Sequence, residues 1–302
     1  MIKQTRNKLK QTFQQFLTLW AKGLPTDILA ENVQLHSFSG HFCGRDEVLG
    51  VLEKGRGDFQ LKIESTNLYV AGSGDSAVVS GYVYGALENV QRRFTFHGVT
   101  VLNMRFIEHE WRVEQIRTTH AIDGAIAPGH WKTVHLVHQG WQPNEPTLPI
   151  VSELDSPWAL YPQNEFAPIQ AQEQVEELYA QYAWGLDFGD FALLADVFAD
   201  NVKSDLTPMG KQQGKRDVYG QLRAFRFAAS YLYHATRPLE TRFEGDTAAD
   251  MLLGRVISEQ THTETGEELY AAYYDNRLEK QADGKWRFTR FEYHPKWFTH
   301  SP

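Results

Sequence analysis

The second half of this chain repeats the first. Ala30-Glu31-Asn32-Val33 returns as Ala199-Asp200-Asn201-Val202, and the run from Gly40 through Gly44 to Val48 returns as Gly210 through Gly214 to Val218. Further on, Gly74-Asp75-Ser76-Ala77 matches Gly245-Asp246-Thr247-Ala248, and Trp111-Arg112-Val113 matches Trp286-Arg287-Phe288. The offset creeps from about 169 to about 175 in unbroken order, as small loop insertions make it. So long a period means two copies of one domain, not a solenoid. The length of 302 residues is what two such domains need.

Composition narrows the function classes. With 42% hydrophobic and 23% charged residues the chain reads as globular, and 13% aromatics point to large side chains lining cores, pockets or interfaces. A net charge of -8 lacks the basic footprint that nucleic acid or an anionic membrane requires, so neither is an expected partner. The single cysteine, Cys43, permits no internal disulfide. Met1 to Gln15 has no apolar signal region, and no run approaches the roughly 18 apolar residues of a spanning helix. A cytoplasmic location is the expectation.

In the first copy, Leu9, Phe13, Phe16, Leu17 and Trp20 fall at helical spacing, and Gly23 and Pro25 close that helix. Asp27 to Leu29 is at most a stub of a second helix. Val33–Phe38 reads as a strand and Arg45–Lys54 as a helix. Strands follow at Phe59–Ala71, Ser76–Gly85, Arg92–Phe106 and Trp111–His120. In the second copy Val175, Leu178, Tyr179, Tyr182 and Leu186 give a strong helix ending near Gly189. Asp190 and Asp217 are candidate N-caps of two further helices, the first through Phe198 and the second to about Ala229. Strands are expected at Leu232–Phe243, Ala248–His262, Glu268–Lys280 and Lys285–Tyr293.

Three segments result: a first domain over 1–120, a proline-rich connecting arm over 121–168, and a second domain over 169–302. The arm carries seven prolines from Pro128 to Pro168, which excludes a long helix or central strand; Trp131, Trp141 and Trp158 are its candidate anchors. Helices first and a strand meander after give an α+β class, with a curved antiparallel sheet around helices in each copy. In the first copy Phe94, Phe96, Leu102, Met104 and Phe106 take one strand parity, Val99 and Val101 the other. Strands apolar on both faces need a layer on each side. The expected arrangement is therefore an intramolecular pseudo-dimer, which leaves a homo-oligomer open.

The element order, Asp187 at the helix end, the Gly210-x-x-x-Gly214 approach to a third helix and the final Asp283-Gly284-Lys285-Trp286 resemble the SnoaL-like families of the nuclear transport factor 2-like superfamily, which also holds ketosteroid isomerase and scytalone dehydratase. The resemblance covers about 130 residues of the second copy and, more weakly, about 115 of the first. It implies two cone-shaped α+β barrels. Its functional signal is broad, since one fold hosts isomerases, dehydratases, cyclases, hydrolases and binding modules. Dehydratases of this superfamily combine a helix-1 aspartate with a histidine on the strand after helix 3, and Asp187 and His234 match those positions. Tyr182 matches a tyrosine of the bile-acid type. The further acid–base residue of both types falls on Ser258 here. The first copy has no carboxylate in Trp20-Ala21-Lys22-Gly23, and Ile63 stands near the histidine position.

Histidine titrates near neutrality, an aspartate can orient it, and a phenol can polarise a substrate oxygen. His234, Asp187 and Tyr182 are therefore the candidate catalytic residues. Against this stands the reading of Asp187 and Asp190 as helix caps and of His234 as an edge residue. Tyr270 and Tyr274 share a strand parity and are candidates for the substrate pocket or for plain core. Arg255 could hold a substrate carboxylate or pair with an acid across the sheet. Asp205 is placed at the pocket mouth or in a turn. His130, His135 and His138 would be splayed by extended chain, so no metal is expected. Cys43 has no identifiable histidine partner. No dinucleotide fingerprint, phosphate loop or serine nucleophile elbow occurs, and no cofactor is called for. The leading expectation is a cofactor-independent dehydratase or isomerase acting on a small hydrophobic hydroxy-carbonyl compound. The alternative is a non-catalytic module of the same fold that binds a hydrophobic ligand or scaffolds a partner.

Overall fold

The computed structural model describes residues 2–122, 148–228 and 233–302. The expected cluster of His130, His135 and His138 lies outside the described residues, as do Trp131 and Trp141. The described residues fall into two compact units, one running to residue 168 and the other starting at 169. Among them, no helix is long and apolar enough to cross a membrane.

The first unit runs α1 (Ile2–Lys22), β1 (Leu29–Ser37), β2 (Gly40–Cys43), α2 (Arg45–Arg56), β3 (Gln60–Ser73), β4 (Ser76–Glu88), β5 (Arg93–Ile107), β6 (Glu110–Ile122), α3 (Ser152–Asp155) and α4 (Pro157–Leu160). The second runs α5 (Ala171–Asp187), α6 (Phe191–Asp196), β7 (Phe198–Leu206), β8 (Gly210–Gln213), α7 (Lys215–Ala228), β9 (Thr236–Glu244), β10 (Ala248–Arg255), β11 (Tyr270–Lys280) and β12 (Trp286–Phe298). The sheet orders are β2-β1-β6-β5-β4-β3 and β8-β7-β12-β11-β10-β9, which is one topology used twice.

Four expectations need correction. The sheets are mixed, because β6 returns parallel to β1 and β12 parallel to β7. Neither sheet closes into a barrel; each ends in edge strands. The segment at Asp27 to Leu29 is not helical, since a turn closed by Leu29 N–H donating to the Thr26 carbonyl leads straight into β1. Asp217 is not an N-cap: α7 already begins at Lys215, after Gly214 at φ 90°, and Asp217 lies in its first turn. Asp190 does cap α6, accepting from the Leu193 N–H at 3.1 Å.

The cores follow the sequence periodicities. Leu9, Phe13, Phe16, Leu17 and Trp20 of α1 are buried against Val79, Val83, Leu102 and Val113 of the sheet. Strand β4 is buried at both parities from Ala77 to Tyr84. In β5 the buried apolar side chains are Phe96, Val99, Val101, Leu102 and Met104, whereas Phe106 is exposed.

The end of the proline-rich stretch belongs to the first unit. Trp158 stacks on Tyr69 with ring centroids 4.0 Å apart. Buried Arg6 donates to the Phe166 carbonyl at 2.6 Å, and the Asn164 side chain accepts from Gly72 N–H at 3.0 Å and donates to the Val70 carbonyl at 2.9 Å. Gly72 is required by this contact, because a Cβ there would lie 2.5 Å from the Phe166 ring and 2.6 Å from the Ser76 carbonyl oxygen. Gly72→Ala is expected to destabilise the first unit by about 1–3 kcal/mol, read by urea denaturation. A neutral result would mean that the Phe166 segment can leave β3 without cost.

Candidate active site

Helix α5 builds the site from its own period. Val175, Leu178, Tyr179, Tyr182 and Leu186 are all buried, so one stripe faces the sheet and carries two phenols one turn apart. The helix stops at Asp187, and Gly189 follows at φ 73°, a conformation that only glycine adopts at little cost. Asp187 is 7% exposed at the helix C-terminus, where the backbone dipole is negative and a carboxylate is disfavoured. Two neighbours offset this. His234, 4% exposed, donates its backbone N–H to Asp187 Oδ2 at 2.8 Å and brings its ring Nδ1 to Oδ1 at 2.5 Å. Arg226 of α7 donates to the Asp187 carbonyl at 3.1 Å.

His234 sits two residues before β9, not within a strand that starts at residue 232. The carboxylate therefore grips both its backbone and its ring. With Asp187 as carboxylate, Nδ1 carries the proton, and Nε2 is the nitrogen turned away from the acid.

Around this pair lies an aromatic cluster. Tyr182 meets the His234 ring edge-on at 6.0 Å and packs on Phe291 at 4.5 Å. Tyr274 touches Tyr179 at 5.3 Å, Tyr182 at 6.5 Å and Tyr293 at 5.0 Å between ring centroids. Burial, then the neighbouring Tyr274 and the Asp187 charge, push the Tyr182 hydroxyl well above the ordinary phenol range. Burial likewise raises Tyr274 and Tyr179. These phenols remain protonated donors. Arg255 ends β10 on the parity of buried Ala249, Met251 and Leu253, and its Nη1 donates to the Tyr293 hydroxyl at 3.1 Å. Burial opposes its charge, yet its pKa stays above the ordinary arginine range, so the guanidinium remains cationic.

The remaining sequence candidates have other partners. Tyr270 donates to Glu268 at 2.6 Å, stacks on Phe298 at 5.3 Å and covers Gly254; burial and Glu268 raise its hydroxyl to about 12. Ser258 is buried three residues beyond the end of β10 and donates to Glu259 at 3.4 Å. Asp205 alternates with buried Ser204 and Leu206, so it takes the opposite face of β7 and pairs with Lys211 at 3.7 Å. Sequence reasoning passed over Tyr179 and Tyr293. Tyr179 was legible three residues before Tyr182 on the same stripe.

The first unit lacks this chemistry at matching places. Val83 pairs with Ser65 as Arg255 pairs with Thr236, and two residues earlier stand Ile63 and His234 respectively. Among the described residues, a small open pocket of about 30 Å³ in this unit is lined by Trp20, Leu35, Thr118 and His120, among others, which is room for one water. Cys43 does have a histidine neighbour, contrary to expectation. His41 is two residues away on the same side of exposed β2, with its Nε2 3.2 Å from the Cys43 Sγ.

Residues 167–292 match the family model of the SnoaL-like domain, and the second half of this chain carries that domain. Similar solved structures include the Kfla4162 protein from Kribbella flavida, 22% identical, covering 42% of this chain and 92% of that one with a TM-score of 0.33. A candidate dehydratase of the NTF2-like family from Streptomyces avermitilis is 13% identical, covers 41% and 95%, and gives a TM-score of 0.33. A candidate scytalone dehydratase from Novosphingobium aromaticivorans is 17% identical over 43% and 91%, with a TM-score of 0.32. No curated protein matches the chain.

Proposed function

We propose that the second unit is a cofactor-independent lyase of the dehydratase kind, or an isomerase, acting on a small hydrophobic hydroxy-carbonyl compound. The observation that carries this reading is the 2.5 Å contact of Asp187 with His234, buried beside protonated phenols. His234 Nε2 takes the proton from the carbon next to the substrate carbonyl, and Asp187 stabilises the imidazolium so formed. The Tyr182 hydroxyl donates to the enolate oxygen. The electron pair then returns, the β-hydroxyl leaves with the proton held by His234, and water departs. In the isomerase variant the same proton returns to a different carbon. Either way the imidazole ends neutral.

Ser258, which stands where the dehydratases carry a further acid–base residue, favours the alternative of a binding module, because a serine hydroxyl does not titrate near neutrality. The two readings separate on turnover. Incubation with a panel of cyclic β-hydroxy-ketones, followed by mass spectrometry, is expected to show loss of water with the wild type. His234→Ala is expected to slow it at least about 100-fold. Binding of the panel without conversion by either protein would leave the module reading in its place.

A further inference from the structure

We infer that Arg255 is the seat of a ligand carboxylate, so that the preferred substrate is a small cyclic hydroxy-carbonyl compound that also carries a carboxylate. The inference takes the proposed chemistry for what becomes of the ligand; the binding it asserts stands apart from that chemistry.

Arg255 is unlike the other strand arginines of its unit. Arg237, Arg242, Arg277, Arg287 and Arg290 each lie against at least one carboxylate. Arg255 is turned inward, six residues along the strand from buried Ala249, and among the described residues it has no carboxylate within ion-pair distance. Its partners are neutral: the Tyr293 hydroxyl at 3.1 Å, the Tyr233 carbonyl at 3.5 Å and the face of the Tyr293 ring at 5.8 Å. Its Nε is buried and makes no hydrogen bond.

A cation drawn into an aromatic cluster without a counter-charge is costly, and an unused N–H adds to the cost. Neighbouring phenols held in their protonated form cannot supply the negative charge. A guanidinium edge with an unused donor is the shape that a carboxylate fills with two parallel hydrogen bonds. The charge is also particular to this copy, since Val83 stands at the same step of β4, six residues from buried Ala77.

Position agrees with use. His234 meets Tyr182, Tyr182 meets Tyr274, and Tyr274 meets Tyr293, the ring beneath Arg255, so one run of aromatic contacts joins the imidazole to the guanidinium. A ligand whose carboxylate sits on Arg255 and whose reacting carbon faces His234 lies against these aromatic walls, which suit an apolar ring.

The test is calorimetric titration of cyclohexanecarboxylate, trans-cinnamate and 1-naphthoate, each against its primary amide. The proteins are the wild type, Arg255→Gln, Arg255→Lys and His234→Ala. The expected result is at least a tenfold preference for acid over amide in the wild type, lost in Arg255→Gln, partly kept in Arg255→Lys and retained in His234→Ala. Equal binding of acid and amide by the wild type, or no binding of any acid, would overturn the inference without any variant having to fold. Persistence of the preference in Arg255→Gln, or its loss in His234→Ala, would overturn it too, the second by moving the anion to the imidazole. Retention in His234→Ala with no turnover by the wild type would sustain the anion site while removing the proposed reaction.

Discussion

Asp187→Ala is expected to lower the stability of the second unit by about 3–5 kcal/mol and to abolish turnover. The carboxylate accepts two hydrogen bonds from one residue, the backbone N–H of His234 and its ring Nδ1, at 2.8 and 2.5 Å. Alanine leaves both donors buried with no acceptor in place, and a stranded buried donor costs more than a made bond contributes. An opposing effect exists. A negative charge at a helix C-terminus is unfavourable by about 0.3–1 kcal/mol, which the substitution would relieve. That gain is too small to reverse the sign. Urea denaturation followed by the fluorescence of Trp184, one turn away on α5, reads the loss; a change below about 1 kcal/mol would mean that the pair does not hold the end of α5 to the start of β9.

Asp187→Asn separates fold from chemistry. The amide oxygen can still accept from the His234 backbone N–H, so the expected stability loss is only about 1 kcal/mol. Its NH2 group then meets Nδ1 and turns that nitrogen into an acceptor, placing the proton on Nε2. The base loses its lone pair on the substrate side. Turnover should therefore fall as far as in His234→Ala while the fold survives.

The periodicity of α5 made the buried stripe of Tyr179 and Tyr182 legible in the sequence, because three- and four-residue steps translate directly into one helix face. The repeat likewise showed that both halves share one element order, since matched turns such as Gly74-Asp75 and Gly245-Asp246 lead into equivalent strands, but it left the parallel pairing of the last strand with the first hidden. What stayed hidden depends on strand irregularities. A bulge between Phe288 and Arg290 shifts the register of β12, so Phe288, Phe291 and Tyr293 face inward across a change from even to odd numbers. Simple alternation from Phe288 sends Tyr293 to the wrong side. A strand reaching His262 would carry Ser258, whereas β10 ends at Arg255. There Val256 N–H turns to the Ala235 carbonyl, and a turn follows at Ile257 to Gln260. That same ending gives Arg255, not Ser258, the last inward place on the strand. Asp205, for which the sequence leaves the pocket mouth and a turn open, stands one residue of parity from buried Ser204 and Leu206.

The first unit is expected to be the acid-labile half of the chain, and His120 is the reason. This ring lies 5% exposed between Trp20 and Phe38, which meet it edge-on at 6.5 and 6.3 Å. Burial lowers its pKa from 6.5 to about 4. The folded unit thus keeps the imidazole neutral over a range where the unfolded chain binds a proton, and stability must fall as pH drops from about 6.5 towards about 4. Below that, both states are protonated and the loss levels off. The full difference amounts to about 3 kcal/mol at 1.36 kcal/mol per pH unit. His36, which burial and then Arg117 and His41 also lower to about 4, acts in the same direction. The contribution of His120 is isolated by comparing the wild type with His120→Phe, which keeps a ring against Trp20 and Phe38. Scanning calorimetry from pH 7 to pH 4 should show the first unit of the wild type losing ground to the variant step by step as the pH falls. Parallel curves would mean that the imidazole opens to water before it is protonated, and that the closed packing around Trp20 does not survive mild acid.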